Sequence, residues 1–218
     1  MKRITLFSVL FILALTAWSQ PRIQLSFTGS PSLNWMKSNN QSVDKEKIVA
    51  GYDFGLNGDI FFSENERYSL FTGLQILNTG GSVTYREAFK FSGKTMPPST
   101  KIRYRLRYVE IPLAIKLKTD QFHRTRYWGQ FGLSSMINIG ANGDSSDDTF
   151  RKANINDEIN LFNLAMIVGA GFDFDLGGSN SVTAGLIFHN GLTDITTDNA
   201  FNDKTIINSL KIRLGLIF

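Results

Sequence analysis

The chain has 218 residues, with 19 Gly, 5 Pro, 18 Phe, 6 Tyr, 3 Trp and no Cys, a length that suits one domain better than two. The lack of cysteine excludes a disulfide framework, a thiolate metal site, a cysteine nucleophile and a lipidated N-terminal cysteine. At 19% charged and 12% aromatic residues it is too apolar for disorder, and its 23 Lys and Arg against 19 Asp and Glu are scattered with no basic helix, so nucleic acid is not an expected partner.

Lys2 and Arg3 precede an apolar run from Ile4 to Trp18 that is broken only by Thr5, Ser8 and Thr16. That run is shorter than the ~20 residues of a spanning helix, and Ala17 and Ser19 are the small residues a signal peptidase reads. Residues 1–19 are therefore expected to be a signal peptide, and residues 20–218 the mature domain. Losing Lys2 and Arg3 leaves 21 basic residues against 19 acidic ones, so part of the basicity belongs to export. No later stretch reaches the length of a spanning helix, so a membrane reading requires strands.

From there the chain alternates with period two, strand after strand. A weaker first strand holds Ile23, Leu25 and Phe27. Tyr52, Phe54, Leu56 and Ile60 then oppose Asp53, Gly55, Asn57 and Asp59, and Leu70, Leu74 and Ile76 oppose Gly73 and Gln75. Val109, Ile111, Leu113, Ile115 and Leu117 oppose Glu110, Pro112, Ala114 and Lys116, and Tyr127, Phe131, Leu133, Ile137 and Ile139 oppose Gln130, Gly132, Ser134 and Asn138. Phe162, Leu164, Met166, Val168, Ala170, Phe172 and Phe174 share a face against Gly169, Gly171 and Asp173. Val182, Ala184, Leu186 and Phe188 oppose Thr183, Gly185 and His189, and Leu210, Ile212, Leu214, Leu216 and Phe218 oppose Ser209, Lys211, Arg213 and Gly215. The connections alternate too, long at 36–50, 79–101, 141–160 and 193–206 and short at 63–67, 119–125 and 176–180. The expected fold is all-β: an eight-stranded antiparallel up-and-down transmembrane barrel, with short periplasmic turns and long extracellular loops.

A soluble barrel would turn its apolar face inward. Three features favour the opposite arrangement and a place in the outer membrane. Mid-strand glycines on the polar faces (Gly55, Gly73, Gly132, Gly169, Gly171, Gly185 and Gly215) suit a crowded narrow interior. Charges of both signs sit near the centres of those faces. Aromatics mark both ends of the apolar band, with Phe62, Tyr68, Tyr127, Phe174 and Phe218 beside the short turns and Tyr52, Tyr108, Phe162 and Phe188 towards the long loops. Leu214, Leu216 and Phe218 end the last strand in the manner of a C-terminal signal for the barrel assembly machinery.

Eight strands leave room only for side chains, so the lumen is expected to be a plugged polar core with an ion network of Glu110, Lys116, Asp173, Lys211 and Arg213, and with Asp53, Asp59, Gln75 and Gln130 near in depth. No catalytic set, cofactor or metal site emerges. A lipid-modifying barrel enzyme is the functional rival, but His123 lies in a short turn and His189 faces the lumen, so no nucleophile–base–acid set assembles. The acidic runs 144–148 and 194–203 lack the ligand spacing of a calcium loop and read as solvated. Lys101, Arg103, Arg105 and Arg107 share parity with Val109 and point outward, which makes them candidate contacts for lipopolysaccharide phosphates. A solvated strand end is the competing reading, and a bulge near Tyr108 would turn the row inward.

The stretch Tyr108 to Lys116 resembles the central Tyr-Leu-Glu-Ile-Pro-Leu strand of the PorT-family outer-membrane β-barrel proteins of Bacteroidota, and 127–133, 160–171 and 190–195 are also similar. The resemblance covers essentially the whole mature chain and implies an eight-stranded outer-membrane barrel. Two roles stay open: a monomeric structural or accessory barrel whose extracellular loops bind a protein partner, and, as the resemblance implies from one member, an accessory part in protein export by type IX secretion.

Overall fold

The computed structural model describes residues 22–40, 42–45, 47–147, 149–197 and 204–218. The expected signal peptide at 1–19 lies outside the described residues, as do Asp148 and 198–203 of the acidic runs.

Eight long strands form the wall: β1 (Ile23–Ser38), β2 (Val49–Phe61), β3 (Tyr68–Tyr85), β4 (Thr100–Lys118), β5 (Thr125–Ser145), β6 (Phe162–Gly177), β7 (Asn180–Gly191) and β8 (Thr205–Ile217). Each pairs antiparallel with the next, and β8 returns to β1 through pairs such as Phe27↔Leu216 and Leu33↔Leu210, closing the barrel. Closure gives each of the eight strands a partner on both sides along the body of the wall. The ladder between β3 and β4 passes from Thr72↔Leu113 to Gln75↔Glu110 and is interrupted at Pro112, which has no N–H to donate.

Three strands run further than the sequence pattern indicates: β3 continues to Tyr85, β4 begins at Thr100 and β5 extends to Ser145. Their extensions carry the loops. Val43–Lys45 pairs with the end of β3, Ala153–Asn154 pairs with β5, and Phe89–Phe91 and Lys94–Met96 form a separate hairpin. A 3-10 turn spans Asn156–Glu158.

One register irregularity falls opposite Tyr108. Arg107 partners Gly140 while Tyr108 partners Asn138, so the additional residue, Ile139, is in β5. The bulge therefore shifts the parity of β5 and leaves that of β4 intact.

The exterior of the turn-side half is apolar. Leu25, Phe27, Phe54, Leu56, Leu74, Leu113, Phe131, Leu186 and Leu214 are all exposed. The interior there is polar and tight. Gly171 and Gly185 are cross-strand partners beneath the Trp128 ring, and a Cβ at Gly185 would lie 2.5 Å from Trp128 Cζ2. The indole Nε1 donates to Thr183 Oγ1 at 3.2 Å.

The loop-side half differs. Met36, Leu77, Ile102, Tyr104, Leu106, Tyr108, Met136 and Ile207 point inward and join Phe89, Phe91, Met96, Phe150, Ile155 and Ile195 from the loops in one buried core. The expectation of a polar lumen is thus corrected: it holds for one half, and the other half is filled like a soluble protein's interior. Tyr108 is corrected with it. It shares parity with Glu110, is fully buried in the lumen and takes no part in an exterior girdle. Trp35, stacked on Phe188 at 6.2 Å, stands at the loop-side level instead.

Candidate functional site

Among the described residues, the buried charged ones are Asp53, Asp59, Glu110 and Asp173 against Lys116, Lys118, Lys211 and Arg213, with His189 beside them. Four formal negative charges meet four positive ones, which a charge set withdrawn from water requires. They form two knots. In the upper, Lys211 Nζ on β8 lies 3.0 Å from Asp53 Oδ2 and 3.1 Å from Glu110 Oε2. Strands β8 and β4 face each other across the barrel, so this contact staples its two sides. Ser134 Oγ donates to Glu110 Oε1 at 2.6 Å, and Arg213 Nη1 donates to Gln130 Oε1 at 2.9 Å.

In the lower knot, Lys116 Nζ is 2.9 Å from Asp59 Oδ2, and Lys118 Nζ reaches Asp59 at 3.2 Å and Asp173 at 3.1 Å. Phe71 lies between the knots, with Arg213 Cζ 4.7 Å and Lys116 Nζ 5.4 Å from its ring centroid. Gln75 Nε2 donates to Asn57 Oδ1 and Asn57 Nδ2 donates to Thr28 Oγ1, a short chain across three strands. The structure thus brings together Glu110 with Lys211 and, through Lys118, Lys116 with Asp173. Lys118 and Trp128 join the set that the sequence indicates; Lys118 shares parity with Lys116, and Trp128 with Gln130.

The histidines do not build a hydrolytic centre. His123 sits in the turn between β4 and β5 with φ 57°. His189 Nδ1 lies 3.6 Å from Glu110 Oε1, the same oxygen that Ser134 engages. The serine proton is directed to a carboxylate instead of an imidazole, and the group is enclosed in the wall. Among the described residues no group of three or more His, Asp or Glu is placed to hold a metal ion. Among the described residues, Asp144, Asp147 and Asp194 of the acidic loops are engaged locally. Asp194 Oδ1 accepts from Thr196 N–H and Thr205 N–H, each at 3.0 Å. Hydrogen bonds from Ser145 and Thr149 hold the Asp147 carboxyl below its ordinary pKa.

The exterior row of β4 is Lys101, Arg103, Arg105 and Arg107, followed by Val109, Ile111, Leu113, Ile115 and Leu117. Between Arg107 and Val109 the outward face changes from charged to apolar. At the same point the inward face changes from Ile102, Tyr104, Leu106 and Tyr108 to Glu110, Ala114 and Lys116. The polarity of the strand inverts with no bulge in it. Above the boundary the strand has the pattern of a soluble protein, apolar inside and charged outside; below it the pattern is inside out. The surroundings of the barrel therefore change from water to hydrocarbon at that level. Val109 to Leu117 covers about 27 Å along the strand and about 21 Å along the axis at a tilt of about 40°, close to the band of a spanning barrel.

A closed barrel with an apolar belt, paired charges within and a polarity inversion along its wall is a transmembrane β-barrel. The chain belongs to the outer membrane protein beta-barrel domain family, whose model matches residues 18–197. Among solved structures it is similar to Neisserial surface protein A (10% identity, TM-score 0.48, covering 88% of this chain and 95% of that one). It is also similar to Ail of Yersinia pestis (11%, 0.44, 89% and 98%) and to OprG of Pseudomonas aeruginosa (10%, 0.45, 91% and 97%). No curated protein matches the chain. In barrels of this kind the short turns face the periplasm and the long loops the exterior.

Proposed function

We propose that the protein is a closed, monomeric outer-membrane barrel that conducts nothing and presents its extracellular cap to a protein partner. The observation that carries this reading is the double filling of the lumen, an ionic plug below and an apolar core above. The cap has the order that a recognition surface needs. Phe89 stacks on Tyr85 at 4.1 Å, Phe91 meets the Phe150 ring edge-on at 5.8 Å, and Ser92 N–H donates to Glu158 Oε1 at 2.8 Å. Asn160 Nδ2 donates to the carbonyls of Asp194 and Thr196, tying the last two outer loops together. Leu214 and Leu216 on the outside of β8 and Phe218 just beyond its end suit reading by the barrel assembly machinery, and residues 1–19 suit a cleaved export signal. Reconstituted into a planar bilayer, the purified protein is expected to give no current above the lipid leak. Stepwise ohmic conductance would reject the closed lumen.

A second reading has its own support, the resemblance of Tyr108–Lys116 to the PorT-family strand of Bacteroidota. On that reading the cap serves protein export as an accessory of type IX secretion. Mild detergent extraction followed by co-purification separates the two. Secretion-machine subunits would accompany the barrel in the export reading and be missing in the other.

A further inference from the structure

We infer that the exterior of β4 above the polarity boundary is a binding site for the phosphate groups of an outer-leaflet glycolipid of the lipid A type. Arg103, Arg105 and Arg107 project from alternate positions of one straight strand, at intervals of about 6.8 Å. Tyr52, Asn78, Arg107 and Gly140 are successive cross-strand partners, and the exterior turns polar along this row. The arginines thus begin where the hydrocarbon ends, at the height of lipid phosphates.

A groove of about 300 Å³ opens there, lined by Tyr52, Asn78, Arg103, Arg105, Arg107 and Asn142. It lies over a notch in the wall. The pairing of β3 with β2 stops at Asn78↔Tyr52, and its pairing with Val43–Lys45 starts only at Val83, so on that side β3 has no ladder partner in between among the described residues.

Two of the three guanidinium groups are held in place, and neither is used up. Arg107 Nε donates to Asn78 Oδ1 at 3.2 Å, and Arg105 Nη2 lies 2.5 Å from Asp144 Oδ2, a carboxylate that also accepts from Lys152 N–H at 2.8 Å. Arg103 makes no ion pair among the described residues. Each guanidinium has five N–H donors in a fixed fork, so one carboxylate leaves most of Arg105 available to a phosphate. This site is independent of whether the cap binds a protein.

The test is binding of bisphosphorylated lipid A to the detergent-solubilised protein, read by native mass spectrometry and by melting temperature. Parent protein is expected to bind lipid A and melt higher with it. The triple variant Arg103→Gln, Arg105→Gln, Arg107→Gln should bind at least about tenfold more weakly, because charge-assisted hydrogen bonds are lost. Dephosphorylated lipid A should bind the parent no better than lipid A binds the triple variant. Lys37→Gln, at the outer end of β1, should bind like the parent. If the triple variant fails to fold, Arg103→Gln alone must weaken binding, since that side chain supports no ion pair. Equal affinity of parent and variant, or equal affinity for the dephosphorylated lipid, would overturn the site. Equal stabilisation by inorganic phosphate alone would show a free-anion site and overturn its assignment to a lipid.

Discussion

Lys211→Met is expected to lower the unfolding free energy of the barrel by about 3–5 kcal/mol, the cost of leaving buried charge without its partner. Lys211 is only 2% exposed and its ammonium lies between Asp53 and Glu110. Methionine fills the same space but leaves two buried carboxylates facing each other in the packed lumen. The loss is read from equilibrium urea unfolding in detergent micelles, followed by the SDS mobility difference between folded and boiled protein. The double variant Lys211→Met, Glu110→Gln should lose clearly less than the sum of the two single losses, because each removes part of the other's penalty. Additive losses would mean that the staple between β4 and β8 is not a coupled unit.

The second large effect is on the opposite face. Leu113 is 55% exposed at the middle of the outward row of β4. Leu113→Arg is expected to cost about 2–4 kcal/mol, whereas Val109→Arg, four residues up the same row and next to Arg107, should cost about 0–1 kcal/mol. Strand, face and substituted side chain are shared, so the difference isolates depth in the bilayer. The same unfolding titration in lipid vesicles measures it. Equal and small costs at both positions would mean that the outward face meets water throughout.

How far the fold was legible follows from where alternation survives. Along β6, from Phe162 to Asp175, one face is lipid-exposed and the other enclosed, and period two in the residues maps directly onto the two sides of the wall. The direction of the faces is not contained in alternation; it is indicated by the mid-strand glycines, by charges of both signs placed together and by aromatics at the ends of the apolar band, and the structure adds the reason for Gly171 and Gly185, whose lack of side chain leaves room for Trp128. The loop-side half was harder. Residues 79–83 are small or apolar and buried on both faces, so they carry no period and read as loop although they continue β3. Tyr108 resembles a girdle aromatic by type, and only its parity with Glu110 places it inside. The apolar upper core is assembled from Met36, Tyr104, Met96, Phe150 and Ile195, which are far apart in the chain. That non-local packing leaves no local signature. The ion network was legible as a set of depths and faces, and its pairs were not, because Lys118 reaches Asp59 and Asp173 on two other strands.

Strand β4 is turned inside out below Arg107 because its surroundings there are lipid. The chain contains no cysteine, so single spin labels can be introduced along the strand without altering the background. In reconstituted vesicles, collisional access of oxygen should alternate, high at Leu113 and Ile115 and low at Ala114 and Lys116, while a water-soluble nickel complex should reach Arg103 and Arg105 instead. Oxygen access at Ala114 and Lys116 equal to or above that at Leu113 and Ile115 would contradict the account.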